Sequence, residues 1–103
     1  MKKQFITPPN HVNFLAKKLF DDLGQIIDGS IAYIDVYGGG PSEQHTHEHS
    51  HLFIVTQGEA KISLGEREVI VKKDESFLVD GNIPHSVWNN TQGQTVMIGI
   101  SIK

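Results

Sequence analysis

The sequence has no cysteine among its 103 residues, which excludes disulfide bonds and thiolate metal ligands. It also lacks an excess of basic residues, since nine Lys and Arg stand against twelve Asp and Glu and give a net charge of −3. This balance argues against nucleic acid or an anionic membrane as the main partner, because both favour a basic surface. Any metal site must therefore be built from His, Asp or Glu side chains.

Long apolar runs are also missing. No stretch approaches the roughly 18 apolar residues of a membrane-spanning helix, and the start, MKKQFITPPN, has two lysines without an apolar run behind them. We therefore expect a cytoplasmic protein. A chain of this length suits one compact domain and is too short for two. The prediction is a single domain over residues 1–103, with residues 1–10 as an extended N-terminal arm because of Pro8 and Pro9.

What the sequence does contain is a regular succession of strand signals. From Ser30 onward, short apolar or alternating runs are separated by turns rich in Gly, Asn, Asp and Pro, including GGGPS at residues 38–42. The stretch Asn13–Leu23 fits either a helix or a bent strand. Eight short strands with few long connections indicate an all-β sandwich or barrel with antiparallel pairing. We predict strands near residues 30–37, 43–47, 51–57, 60–64, 67–71, 76–79, 84–89 and 94–102.

Histidine is concentrated in one place, because four of the six histidines lie in HTHEHSH at residues 45–51. In a strand, His45 and His47 point to the same face. A turn through residues 48–50 would let His51 open the next strand and face His47 across a hairpin. A distant fourth candidate is His85, which follows Pro84 in DGNIPHSVWNN. Several imidazoles at converging positions are typical of a divalent metal site.

The histidine cluster also lies in a sequence that resembles the first motif of the cupin family. That motif is Gly, five residues, His-x-His, three or four residues, Glu, six residues and Gly. In this chain Gly39, His45, His47 and Gly58 fall in register, and His51 stands where the family usually has glutamate.

A second cupin motif, which ends in His, three residues and Asn, is matched by His85 and Asn89. Asp80 and Asn82 replace the proline and glycine that usually precede them. Asn82 is still able to adopt the left-handed conformation that a glycine would supply.

This resemblance implies an all-β fold, an antiparallel jelly-roll barrel, and a strand rather than a helix over NFLAKKLF. It also implies one divalent metal ion with His45, His47, His51 and His85 as ligands. The chain is similar to small cupins whose metal, often manganese, is held by four histidines. Manganese is therefore the first expectation, and Fe, Ni, Zn and Cu are alternatives.

The remaining candidates lie near the cluster or on strands that could reach it. His49 falls in the predicted turn and is an alternative ligand, whereas His11 is expected to be structural or exposed. Strand parity and position predict a substrate pocket, with ordinary core packing as the alternative role. The predicted pocket residues are Tyr33, Phe53, Val55 and Met97.

Two classes of function fit these observations. The first is a metal-dependent oxygenase of the dioxygenase type that acts on a small oxygen-rich or aromatic molecule. The second is a non-catalytic module that binds or senses a small ligand or a metal. Both predict a small-molecule partner rather than nucleic acid or membrane. The exposed edges of a small barrel also predict a homodimer.

Overall fold

A computed structural model describes residues 4–103, so the first three residues of the predicted N-terminal arm lie outside the described residues. Residues 4–103 form eight strands, and none of them belongs to a helix that could cross a membrane. The strands are β1 (Val12–Leu23), β2 (Ile26–His45), β3 (Ser50–Gln57), β4 (Glu59–Leu64), β5 (Arg67–Lys72), β6 (Ser76–Val79), β7 (His85–Asn89) and β8 (Thr95–Ile102).

The eight strands pair antiparallel and curl into a nearly closed barrel. Their order is β5-β4-β7-β2-β8-β3-β6, and β1 pairs with β2 outside this path. The two ends of the order, β5 and β6, approach within 8 Å between Cα atoms. The predicted all-β, antiparallel jelly-roll barrel is confirmed.

The ambiguous stretch after Asn13 is a strand, so the helical alternative is wrong. β1 pairs with β2 along most of its length. Phe14 and Ala16 pack against the core, whereas Leu15 and Leu19 are 49% and 43% exposed. This alternation has the period of two that a strand requires.

Strand β2 is longer than the sequence predicted. The predicted strand 30–37 and residues 43–45 of the predicted strand 43–47 belong to one strand, and GGGPS is a bend within it rather than a turn. Residues 46–47 lie in the loop that follows. Gly39 and Gly40 have φ values of 150° and 151°, which side chains rarely permit. Up to Ile34 β2 pairs with both β1 and β8, and from Gly39 onward it pairs with β7. The other six predicted strands agree with the structure to within one residue at each end.

A hydrophobic core fills the barrel beside an internal cavity. Ile34, Val55, Ala60 and Ile62 are fully buried in it. Three further core residues also line the cavity. Burial of this kind fixes the strands that carry the cavity walls. The shared residues are Ala32, Val87 and Met97.

Candidate metal centre

Five histidine side chains come together at the cavity. They are carried by the end of β2, the loop that follows it, β3 and the start of β7. Their ring centroids lie 4.4–5.9 Å apart in seven pairs. The five are His45, His47, His49, His51 and His85.

The pairing of β2 with β7 brings His45 and His85 together. They are direct partners in the register, and their Nε2 atoms lie 3.1 Å apart. The Nδ1 atom of His85 lies 2.9 Å from the carbonyl oxygen of Ile83. When Nδ1–H donates to that carbonyl, Nε2 keeps its lone pair for a metal. Two nitrogens that bind one ion at about 2.1 Å stand about 3.0 Å apart at a right angle and about 3.4 Å apart at a tetrahedral angle, so the observed spacing fits neighbouring ligands of one ion.

His51 reaches the cluster from β3. It pairs with Ser101 of β8 and Val79 of β6, and its Nδ1 lies 3.3 Å from Ser101 Oγ. Its Nε2 is buried and has no hydrogen-bond partner in the described part of the chain. A buried polar atom without a partner is costly and requires an explanation, which a bound ion would supply.

His47 lies in the loop after β2 and not in a strand. The turn before β7 holds this loop, because Asn82 N–H donates to the carbonyl oxygen of His47 at 2.6 Å and Gly81 N–H donates to Ser50 Oγ at 3.2 Å. Asn82 has a φ of 67°, the left-handed conformation that an asparagine at this position is able to adopt. The predicted hairpin between His47 and His51 is wrong, since β8 lies between β2 and β3 in the sheet.

The loop contact at Gly81 gives a testable prediction. A Cβ added there would lie 2.2 Å from the carbonyl oxygen of Glu48. We expect Gly81→Ala to push the loop outward, destabilise the protein by about 1–3 kcal/mol and weaken metal binding. Gly93→Ala is the control, because a Cβ at Gly93 meets nothing within 4 Å. Urea unfolding and metal titration measure both effects, and equal behaviour of the two variants would contradict this account of the loop.

Burial lowers the pKa of three of the clustered imidazoles and so favours their neutral form. It lowers the pKa of His45 to about 4, with smaller contributions from the charges of His85, His47 and His11. Burial also lowers the pKa of His51 to about 3, assisted by the neighbouring histidines. The pKa of His47 is lowered by burial and then by His49 and His85. Neutral imidazole is the form that binds a metal.

The cavity beside the cluster has a volume of about 210 Å³. Phe53 and Met97 line it, as do four histidines of the cluster. Val55 is fully buried in the hydrophobic core, and Tyr33 packs edge-on against Phe5 with the ring centroids 5.5 Å apart. Neither of these two is among the described residues that line the cavity. Strand parity correctly placed Val55 inside the barrel but did not show how deep it lies.

Residues 32–102 match the family model described as Cupin domain. The chain belongs to the cupin family. A search of curated protein sequences gave no match. Cupins often bind a metal, and the histidines of this chain form a group that could hold one.

Solved cupin-like structures share the fold of this cupin at low sequence identity. A predicted oxalate decarboxylase from Thermotoga maritima is 10% identical with a TM-score of 0.83, over 97% of this chain and 90% of that one. The polyketide cyclase RemF from Streptomyces resistomycificus is 18% identical with a TM-score of 0.79, over 98% and 72%. The Cnp3 cupin domain from Schizosaccharomyces pombe is 14% identical with a TM-score of 0.80, over 100% and 69%.

The ligand nitrogens of this cupin form two overlapping triads. His45, His47 and His85 make one, and His47, His49 and His51 make the other, with the nitrogens of each triad within 4.8 Å of one another. The structure therefore brings the four predicted ligands together and adds His49. That His45, His47, His51 and His85 share one ion stays a prediction.

The sequence did not predict that His11 lines the cavity of this cupin. His11, which was expected to be structural or exposed, lines the cavity together with Pro8. The signal that could have found it is PPNH, a turn sequence immediately before β1. No local pattern, however, indicates that this turn folds onto the open side of the barrel.

Proposed function

We propose that this cupin is a small metal-dependent oxygenase that acts on a small aromatic or enolic molecule. One observation supports this proposal above the others: an apolar cavity of about 210 Å³ opens onto a cluster of imidazoles, in which burial lowers the pKa of His45 and His51. Substrate sites are commonly apolar cavities with a few converging polar groups. The cluster supplies those groups, and the cavity supplies room for a compact ring.

The donor set fits a divalent ion, since imidazole suits Fe, Ni, Cu and Zn and is acceptable to Mn. We propose His45, His47, His51 and His85 as its ligands, with manganese as the first choice. Such an ion, when bound, would supply Lewis acidity and, if redox-active, reactivity with O2. The chain itself supplies an apolar wall of the cavity, since Phe53 lies nearly parallel to His51 at 5.8 Å between ring centroids.

The cavity walls favour some substrates over others. No Lys, Arg, Asp or Glu is among the described residues that line the cavity. A small dianion such as oxalate would therefore find no cationic side chain there, and its charge would have to be balanced by the ion alone. A neutral ring with one or two oxygen atoms buries its apolar surface against the walls and directs an oxygen towards the histidines.

The proposed activity is tested by oxygen uptake with a panel of phenols, diketones and thiols. The assay uses untagged protein loaded with Mn or Fe, with metal-free protein as the control. Uptake that requires both metal and a phenol or diketone supports the proposal. Tight binding of these compounds without turnover would instead favour a non-catalytic binding or sensing module.

We also infer that a second copy of the chain covers the free edge of β1. Within residues 4–103, β1 pairs with β2 and makes one further bridge, between Ile6 and Ala16. A series of apolar side chains along this strand is 43–55% exposed. Apolar edge strands of this kind favour pairing with another chain. The series comprises Val12, Leu15, Leu19 and Leu23.

A charge at this edge is expected to dissociate the dimer. We predict that Leu19→Glu raises the dissociation constant at least about tenfold, because it leaves a carboxylate against an apolar surface. Ile70→Glu on β5 is the matched control, since Ile70 is 42% exposed and Leu19 is 43% exposed. Light scattering across a dilution series measures the mass, and a wild-type monomer at micromolar concentration would contradict the inference.

A further inference from the structure

The mouth of the cavity carries a histidine outside the metal-binding cluster. Pro8, His11, Pro41 and His45 line both the internal cavity and a shallow groove outside it. These four residues therefore lie where the groove meets the cavity, and this position is called the neck. Among them, His11 and His45 have side chains that form hydrogen bonds.

The sequence PPNH builds the turn that places His11 at this neck. His11 N–H donates to the carbonyl oxygen of Pro8 at 3.3 Å, and Asn10 between them has a φ of 63°. A type II turn requires a positive φ at its third position, which Gly or Asn supplies, and proline is common at its second position. The turn thus has a local cause in the sequence.

Strand β2 holds this turn against the barrel. The carbonyl oxygen of Asn10 accepts hydrogen bonds from Ser42 N–H at 2.9 Å and from Ser42 Oγ at 3.2 Å. A Cβ added to Gly40 would lie 2.8 Å from Cγ of His11, so the glycine leaves the space that the imidazole occupies. The position of His11 is therefore fixed from both sides of the neck.

The orientation of the ring is fixed as well. Nδ1 of His11 lies 2.8 Å from the carbonyl oxygen of Pro9, and the ring packs edge-on against Phe14 at 4.6 Å between centroids. Because Nδ1–H donates to that carbonyl, Nε2 is the nitrogen that has its lone pair available for a ligand. His11 is also close enough for its charge to affect the pKa of His45.

Besides the histidines, the described residues that line the cavity include two polar side chains. Outside the histidines, the hydroxyls among the lining residues belong to Ser30 and Ser101, and Ser101 lies beside Nδ1 of His51. The walls near the neck include Phe14, Ala16 and Val87. A ligand in the cavity is thus surrounded by apolar groups, with imidazole nitrogens at the cluster and at the neck.

We propose that Nε2 of His11 accepts the hydroxyl proton of a small phenol or enol bound in the cavity. The O–H bond of the ligand breaks, the proton moves to Nε2, and the electron pair stays on the ligand oxygen. A more electron-rich oxygen is then directed towards the histidine cluster. This inference rests on the proposed function for its substrate class and assigns His11 a role in binding and activation.

Two probes that differ only in the hydroxyl test this role. The full-length protein is loaded with redox-inactive zinc and titrated with 4-nitrophenol, whose yellow anion reports its protonation state, and with 4-nitroanisole, which has no hydroxyl proton. We expect wild type to bind 4-nitrophenol about tenfold more tightly than 4-nitroanisole, the effect of one hydrogen bond to a buried group, and to increase the bound anion fraction.

The variants separate His11 from the metal. His11→Phe keeps the ring volume and is expected to reduce the preference to less than about threefold and to abolish the extra anion. His11→Gln, whose amide oxygen accepts a hydrogen bond, is expected to restore part of the preference without the anion. A full preference in a folded His11→Phe protein would overturn the inference and assign the discrimination to zinc.

The binding test of His11 does not depend on whether the protein is an oxygenase. A preference that depends on His11 in a protein without oxygen uptake would support the assignment of His11 while removing the oxygenase. Oxygen uptake with unchanged preference in His11→Phe would retain the oxygenase and reject the role of His11. If wild type does not distinguish the two probes, the inference is also rejected.

Discussion

His85→Ala is expected to remove the bound divalent ion and the stability that the ion provides. His85 is the least exposed histidine of the cluster at 3%, and its Nε2 lies 3.1 Å from that of His45. Binding at a ligand concentration 100 times the dissociation constant stabilises a protein by about 2.7 kcal/mol, which corresponds to about 10 °C or more in Tm for a domain of this size. Elemental analysis and thermal melts with and without added metal measure the loss.

The control for this prediction is His49→Ala. His49 contacts His47 and His51 but lies outside the predicted ligand set. We expect this variant to keep one equivalent of metal and most of the metal-dependent increase in Tm. If both variants retained the metal, or if only His49→Ala lost it, the proposed ligand set would be rejected.

Acidification of the metal-free protein is expected to have the next largest effect. The pKa values of His45 and His51 in the folded protein are about 4 and about 3, below the ordinary value of 6.5. Between the pKa values of the folded protein and the ordinary value of 6.5, the unfolded chain binds more protons than the folded one. The free energy of unfolding therefore rises with pH in this range. The contribution of these histidines to the free energy of unfolding is complete above pH 6.5 and is lost as the pH falls towards 4 and then 3.

The size of this effect is about 2 kcal/mol between pH 7 and pH 4, after allowance for solvent screening of partly exposed rings. Urea unfolding at a series of pH values measures it. His51→Phe keeps a ring of similar size without a titratable group, so the pH dependence of this variant should be shallower than that of wild type. Identical slopes for the two proteins would show that His51 is not held neutral by burial.

The sequence predicted the grouping of the histidines better than it predicted the path of the chain around them. The His-x-His spacing and the distant His85 identified rings that the structure brings within 4.4–5.9 Å of one another. The reason is that the barrel topology brings β2 and β7 together however far apart they are in sequence. By contrast, GGGPS has the composition of a turn, and only the change of pairing partner along β2 shows that it is a bend.

Sequence patterns are least able to predict the role of a residue when that role depends on how deeply the side chain lies in the barrel or on tertiary packing. Strand parity placed both Phe53 and Val55 inside the barrel, but only Phe53 lines the cavity, since Val55 is covered by the core. His11 lies 34 residues before His45 in sequence (45 − 11) and meets the site only because the PPNH turn folds onto β2. Local patterns specify that turn but not the surface on which it packs.

Anomalous diffraction from crystals of untagged protein, purified without nickel, tests the central claim most directly. We predict one strong peak about 2.1 Å from Nε2 of His45 and His85, with His47 and His51 completing the ligands. The metal's absorption edge identifies the element. Imidazoles that point away from one another, with no peak among them even after crystals are soaked in divalent salts, would contradict the account.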